Sequence, residues 1–108
     1  ANKSLALSPN NLEGLLVHGY VFGSRNDYLN AQSVYQKVIE RYPQSMEGYF
    51  YLGMCQMALR NYKSALENLY QSSQSPALRA NAFRYMGDIY SQTGNQEEAQ
   101  KFYKMAGQ

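Results

Sequence analysis

The sequence predicts an all-α fold, an α-solenoid built from antiparallel helix pairs. Small residues recur with a long, fixed period, and no segment shows the alternation of apolar and polar residues that is typical of a half-buried strand. The 108 residues, 44% of them hydrophobic and 17% charged, are enough for one folded domain. Because the connections between helices are short, consecutive helices are expected to run antiparallel.

Three independent series of residues share a period of 34 (53−19 and 87−53 for the first). They are Gly19, Gly53 and Gly87; Ala31, Ala65 and Ala99; and Tyr35, Leu69 and Tyr103. This period divides the chain into unit 1 (12–45), unit 2 (46–79) and unit 3 (80–108). Pro9 precedes Pro43 by the same interval, so residues 1–11 are expected to be the end of a truncated preceding unit.

Each unit is predicted to hold two helices, A and B, and unit 2 shows the pattern most plainly. Its helix A covers about 45–59, its turn is "RNY", and its helix B covers about 62–73. The turns "SRNDY", "RNY" and "TGNQ" contain Asn or Gly, which tolerate the left-handed conformation that ends helices. Ser75 and Pro76 suit the N-cap and the first helical position, so helix A of unit 3 is predicted to start near residue 76. The serines of "YQSSQSP" predict a weakly packed helix end before it.

The units resemble tetratricopeptide repeats, a 34-residue pattern of W-x2-L-G-x2-Y, then A-x3-F, then P. The matching residues are Leu15, His18, Gly19, Phe22, Ala31, Tyr35 and Pro43 in unit 1, Tyr49, Leu52, Gly53, Gln56, Ala65 and Leu69 in unit 2, and Phe83, Met86, Gly87, Tyr90, Ala99 and Tyr103 in unit 3. His18 and Gln56 depart from the pattern. The resemblance implies a right-handed superhelix whose concave groove, lined by the A helices, binds a peptide or helix of another protein.

Composition argues against several other classes of function. The ten basic residues form no run and the net charge is +2, so no nucleic-acid partner is expected. The single Cys55 excludes a disulfide framework and a paired-cysteine zinc motif. No apolar run approaches the roughly 18 residues of a membrane span, so membrane insertion is not expected. The cytoplasm is the default compartment, and a periplasmic location is also compatible with one cysteine.

The chain offers no residues for catalysis or for a cofactor. His18 is its only histidine, and the helical pattern places it as a core residue facing the partner helix. Cys55 diverges from Met54 and Met57 by about 100° and 200° around a helix, which argues against a soft-metal site. No glycine-rich phosphate loop, nucleophile elbow or zinc spacing occurs. We therefore expect a protein without enzymatic activity, metal or cofactor.

The resemblance also implies which residues line a partner-binding groove. These are Leu16, Tyr20, Phe50, Met54, Met57, Asn81, Arg84, Asp88 and Gln92. A helical wheel supports the middle of this set, because Phe50, Met54 and Met57 form a stripe about 100° from the face that meets helix B. Two interpretations stay open: an open groove for an apolar or amphipathic partner segment, or a scaffold whose groove is filled by its own chain or by homo-oligomerisation. Recognition of two carboxylates, as in chaperone-binding members, is not expected because Arg84 is the only cation in the set.

Overall fold

The structure, a computed structural model, describes residues 11–107, and this part of the chain contains helices and no strand. The helices are α1 (Leu12–Ser24), α2 (Tyr28–Arg41), α3 (Met46–Ala58), α4 (Tyr62–Ser72), α5 (Pro76–Gln92) and α6 (Gln96–Met105). The end of a preceding unit, predicted for residues 1–11, lies outside the described residues except for Asn11.

The helices stack in chain order, as an all-α solenoid of helix pairs requires. The pairs are α1 with α2, α3 with α4, and α5 with α6; α2 packs on α3 and α4 on α5, and α3 also contacts α5. The array is elongated, with extents of 52 × 26 × 21 Å. The predicted fold class is therefore confirmed for the described residues.

The 34-residue period marks the points where the two helices of a pair touch. A Cβ added to Gly53 would lie 2.8 Å from Leu69 Cγ and 3.2 Å from the carbonyl oxygen of Ala65, well inside ordinary van der Waals contact. Glycine is needed there because the backbone of α3 approaches α4 this closely. The equivalent approaches are Gly19 against the ring of Tyr35, and Gly87 against Tyr103 and the carbonyl of Ala99.

Helix α3 stands between two hydrophobic clusters, one on each side of it. Leu52 and Cys55 join the cluster formed with α1 and α2, whereas Phe50 joins the cluster formed with α4 and α5. A helix that is apolar on nearly every side belongs in the middle of a stack, where both flanks are covered. This placement explains the dense apolar sequence "YFYLGMCQM" at residues 49–57.

The turn inside each helix pair contains one residue with positive φ, again at the 34-residue period. Asn26 has φ 60°, Arg60 has φ 66° and Gly94 has φ 85°. The prediction that Asn or Gly takes this conformation is wrong for the middle turn, where Arg60 takes it and Asn61 does not. The geometry of the repeat fixes which position of the turn has the left-handed conformation. Arg60 therefore adopts this conformation, although it is less favourable for arginine than for Gly or Asn.

The end of α4 is better packed than the sequence predicted. Ser72 is fully buried, and its hydroxyl donates to the carbonyl oxygen of Leu69 at 2.7 Å. The carbonyl oxygen of Ser73 accepts from Arg79 Nε at 3.0 Å. The hydroxyls of Ser72 and Ser73 are accommodated because each donates to a carbonyl oxygen of its own helix, that of Ser73 to Tyr70. Helix α5 then begins at Pro76; Ser75 occupies the N-cap position, although its side chain makes no capping hydrogen bond.

Candidate functional site: two pockets along the A helices

Two pockets open between successive A helices, α1, α3 and α5. The first pocket, of about 330 Å³, is lined by Tyr20, Gly23, Ser24, Tyr28, Tyr35, Tyr51, Met54, Cys55, Met57 and Ala58. The second pocket, of about 590 Å³, is lined by Met57, Ala58, Tyr62, Asp88, Ile89, Ser91, Gln92 and Tyr103. Met57 and Ala58 belong to both, so the pockets are neighbours separated by one wall. We call the two pockets together the groove.

The second pocket is the first pocket repeated one period later. Apart from Tyr103, every residue of its lining lies 34 positions after a residue that lines the first pocket (for example 62−28 and 89−55). Tyr28 and Tyr62, at the start of the two B helices, correspond in this way. Because equivalent positions in a regular repeat share one face of the array, the two pockets open on the same side.

The two pockets differ in the polarity of their linings, although they occupy equivalent positions in the repeat. The positions of Met54, Met57 and Ala58 in the first pocket are taken in the second by Asp88, Ser91 and Gln92. The groove therefore changes from apolar to polar along the helix array.

The first pocket has an uncharged floor and an exposed aromatic rim. The ring of Tyr35 stacks on Tyr51 with centroids 5.4 Å apart. Cys55 is 5% exposed, and burial raises the pKa of its thiol to about 11. Burial, followed by the nearby Cys55, also raises the pKa of Tyr35. The Cys55 thiol and the Tyr35 hydroxyl therefore stay neutral at physiological pH. Tyr20, which is 66% exposed, forms the rim of the pocket.

Asp88 is the one charged side chain among the described residues that line the second pocket. Asp88 Oδ1 accepts a hydrogen bond from the Tyr103 hydroxyl at 2.6 Å. This bond is the main reason why the pKa of Tyr103 is raised, since the neutral phenol donates to the carboxylate. Arg84, one turn before Asp88, donates instead to Asn81 Oδ1 at 2.9 Å, with its guanidinium 5.5 Å from the centre of the Tyr85 ring. Among residues 11–107 the only ion pair is Lys101 with Glu98, at 3.1 Å.

The structure places five of the nine predicted groove residues at the two pockets, Met57 at both of them, and the other four, Phe50 included, outside them. Tyr20, Met54 and Met57 line the first pocket, and Asp88 and Gln92 line the second. Asn81 and Arg84 lie on α5 outside both pockets, and half-buried Leu16 packs on the cluster of α1, α2 and α3.

Phe50 requires a correction, because it was predicted to line the open groove. It is 6% exposed and packs between Tyr51 and Tyr85, whose ring centroids lie 5.4 Å and 5.9 Å away. A helical wheel of α3 alone cannot show this, since α5 covers the residue from the next pair.

His18 also departs from the expectation of a core residue, since it is exposed. Leu52, one period later, is buried in a cluster with Ala31 and Val38 of the preceding helix α2. Within the described residues no helix precedes α1, so the equivalent contacts of His18 are missing there.

Sequence reasoning missed the tyrosines that the B helices contribute to the groove, Tyr28, Tyr35, Tyr62 and Tyr103. A signal was available, because the chain has 11 tyrosines and Tyr28 and Tyr62 are one period apart. In the described part of the chain no three side chains among His, Cys, Asp and Glu gather as metal ligands would. None of the helices there has the length and apolarity needed to cross a bilayer.

Comparisons with known proteins agree with this architecture. Three family models described as tetratricopeptide repeat match residues 13–45, 34–67 and 86–106. The chain is 30% identical over 101 residues to human peptidyl-prolyl cis-trans isomerase FKBP4, a match that covers 90% of this chain and only 22% of the isomerase.

Solved structures show the same fold. The crystal structure of MamA is similar with a TM-score of 0.84 and 24% identity, covering 94% of this chain and 60% of that one. The CopN–Scc3 complex contains a chain that is similar with a TM-score of 0.80 and 25% identity, covering 94% of this chain and 59% of that one. The period, the glycine contacts and the three matching segments lead to one conclusion: the chain belongs to the tetratricopeptide repeat family.

Proposed function

We propose that the chain is a non-enzymatic protein–protein interaction module that binds an apolar or amphipathic segment of a partner in the groove. The observation that carries this proposal is the first pocket, an open cavity of about 330 Å³ lined by tyrosines and methionines. The CopN–Scc3 structure, which is that of a complex, supports a role in protein association.

The lining of the first pocket suits a protein segment. Tyrosine combines a large apolar ring with a hydroxyl that tolerates water, and it is enriched at protein interfaces for this reason. Methionine adapts its flexible thioether to partners of different shape. Met54 and Met57 are half-buried, so part of each side chain is available for contact with a partner.

A selection experiment with a matched pair of variants tests this proposal. A library of random twelve-residue peptides displayed on phage is selected on the chain, and the enriched peptides are synthesised and titrated. Tyr20→Ser removes an exposed tyrosine from the rim, whereas Tyr70→Ser removes a comparably exposed tyrosine, 56% against 66%, that lines neither pocket.

We expect Tyr20→Ser to weaken binding about 10-fold or more, since interface tyrosines are frequent hot spots, and Tyr70→Ser to leave it unchanged. Equal effects of the two substitutions, or peptides that bind outside the groove, would contradict the proposal.

Sedimentation of the chain without peptide tests the alternative occupant. A dimer that dissociates in Tyr20→Ser and persists in Tyr70→Ser would place a second copy in the groove instead of a partner.

A further inference from the structure

We propose that the segment bound in the groove carries a basic side chain that enters the second pocket and pairs with Asp88. This basic residue lies about three positions from the apolar side chain that fills the first pocket. The inference rests on the proposed function and deepens it, because it specifies the chemistry and the direction of the bound segment.

Asp88 has capacity to accept further hydrogen bonds. A carboxylate offers about four lone-pair directions, and one of its oxygens accepts from Tyr103. Among the described residues the Tyr103 hydroxyl is its hydrogen-bond partner, and no Lys or Arg lies within ion-pair distance. Asp88 is half-buried at the pocket wall, so the carboxylate is reachable and incompletely paired.

Among residues 11–107 no positively charged side chain lines the second pocket. Its other polar groups are the side chains of Tyr62, Ser91, Gln92 and Tyr103, none of which is a cationic residue. The nearest cation along α5, Arg84, is held by Asn81 and the Tyr85 ring outside the pocket. Charge complementarity therefore favours a Lys or Arg from the partner, and a charge-assisted hydrogen bond contributes more than a neutral one.

The contrast with the first pocket gives the bound segment a direction. At the position of Asp88 the first pocket has Met54. A basic side chain therefore gains a charged partner in the second pocket, whereas in the first pocket it would lose hydration without gaining a partner. Such a segment binds with its apolar residue toward α1 and its basic residue toward α6. The reverse orientation would leave a charge against the thioether of Met54 and the thiol of Cys55.

The shared wall sets the spacing between the two side chains. Met57 and Ala58 line both pockets, which open between successive A helices, so the spacing of the pockets is expected to follow that of packed helices. Packed helices are roughly 8–10 Å apart, and a polyproline II chain has three residues per turn with a rise of about 3.1 Å per residue, so its side chains three positions apart lie on one face, about 9 Å from each other. The expected motif is an apolar residue and a basic residue with two residues between them, in either order along the bound segment.

Four synthetic eight-residue peptides test this motif. The parent has phenylalanine at its third position and lysine at its sixth, with serine and glycine elsewhere; three variants replace the lysine by glutamine, the lysine by glutamate, or the phenylalanine by serine. Binding is titrated by NMR on the wild-type chain, on Asp88→Asn and Asp88→Lys, and on the matched control Asp27→Asn. Asp27 also accepts one side-chain hydrogen bond, from Asn30, and lies outside both pockets.

We expect the lysine peptide to bind about 10-fold more tightly than the glutamine peptide to the wild-type chain and to Asp27→Asn. In Asp88→Asn the lysine and glutamine peptides should bind about equally. In Asp88→Lys the glutamate peptide should bind more tightly than the lysine peptide. A ratio near one on the wild-type chain, or one that survives Asp88→Asn, would overturn the inference.

The peptide that lacks phenylalanine separates this inference from the proposed function. If binding needs phenylalanine but ignores lysine, the groove binds apolar segments and only the role of Asp88 fails. If the serine variant binds as well as the parent, the groove does not recognise apolar segments, and both proposals fail.

Discussion

Replacing Gly53 by alanine should destabilise the chain, whereas the same replacement at Gly23 should stabilise it. Both glycines lie on A helices, so both substitutions gain roughly 0.5–1 kcal/mol of helix propensity. They differ in surroundings. An added Cβ at Gly53 would lie 2.8 Å from Leu69 Cγ and 3.2 Å from a backbone oxygen of α4. At Gly23 no neighbouring atom of the described part of the chain would lie within 4 Å of it.

The magnitude follows from these distances. Carbon atoms pack best at about 3.5–4.0 Å, so the new methyl group at Gly53 must push Leu69 and the backbone of α4 away. Overpacking of this kind costs about 1–3 kcal/mol, and subtracting the propensity gain leaves a net loss of about 1 kcal/mol. The Gly23→Ala variant keeps a gain of roughly 0.5–1 kcal/mol. The two variants should thus differ by about 2 kcal/mol.

Thermal unfolding followed by circular dichroism measures the difference. At about 4–8 °C per kcal/mol for a domain of this size, the Tm of Gly53→Ala should lie about 10 °C below that of Gly23→Ala. Gly87→Ala, which faces Tyr103 at 2.7 Å, should shift the Tm in the same direction as Gly53→Ala. Shifts of the same sign and size for Gly53→Ala and Gly23→Ala would refute the close approach of α3 and α4.

Further predictions concern the turns and the groove. Arg60→Gly should raise the Tm by several degrees, because a non-glycine residue at φ 66° carries about 1–2 kcal/mol of strain; a lower Tm in a calorimetric scan would contradict this. Cys55 in the folded chain should react with iodoacetamide at pH 8 about 100-fold more slowly than in urea, since burial raises its pKa to about 11 and lowers its thiolate fraction; equal rates would contradict the buried position. The same shift means that the unfolded chain loses this proton first, so the free energy of unfolding should fall between about pH 9 and pH 11, and less so in Cys55→Ala. Asp88→Asn should lower the pKa of Tyr103, observed by NMR of labelled tyrosine, because the carboxylate that raises it is gone; an unchanged value would contradict the hydrogen bond.

The sequence was sufficient for features that repeat and insufficient for contacts between units. The series of Gly53 and Ala65 predicts the helix pairs, because a close approach of two helices leaves small residues at a fixed period. The burial of Phe50 depends on Tyr85 in the next pair, and one helix wheel carries no information about that neighbour. Arg60 shows a different limit. Residue preferences predict Asn or Gly at a position with positive φ. In the middle turn the packing of α3 against α4 determines which position has positive φ, and the residue there is Arg60.

The candidate groove was likewise predicted in part. Met54, Met57 and Asp88 lie at its walls because their positions in the repeat determine which way the A helices point them. The tyrosines at the starts of the B helices do not follow from the pattern of the A helices, because they line each pocket from a different helix. The equivalence of Tyr28 and Tyr62 becomes informative only when both pockets are seen.

The measurement that tests the central claim most directly is methyl NMR of the chain labelled at its five methionines, Met46, Met54, Met57, Met86 and Met105, in the presence of a selected peptide. Met54 and Met57 line the groove, whereas Met86 is in the core and Met105 is exposed on α6 outside both pockets. If a partner segment occupies the groove, the methyl resonances of Met54 and Met57 should shift on titration while that of Met105 stays in place. Saturable binding that moves Met105 and leaves Met54 and Met57 unchanged would contradict the account.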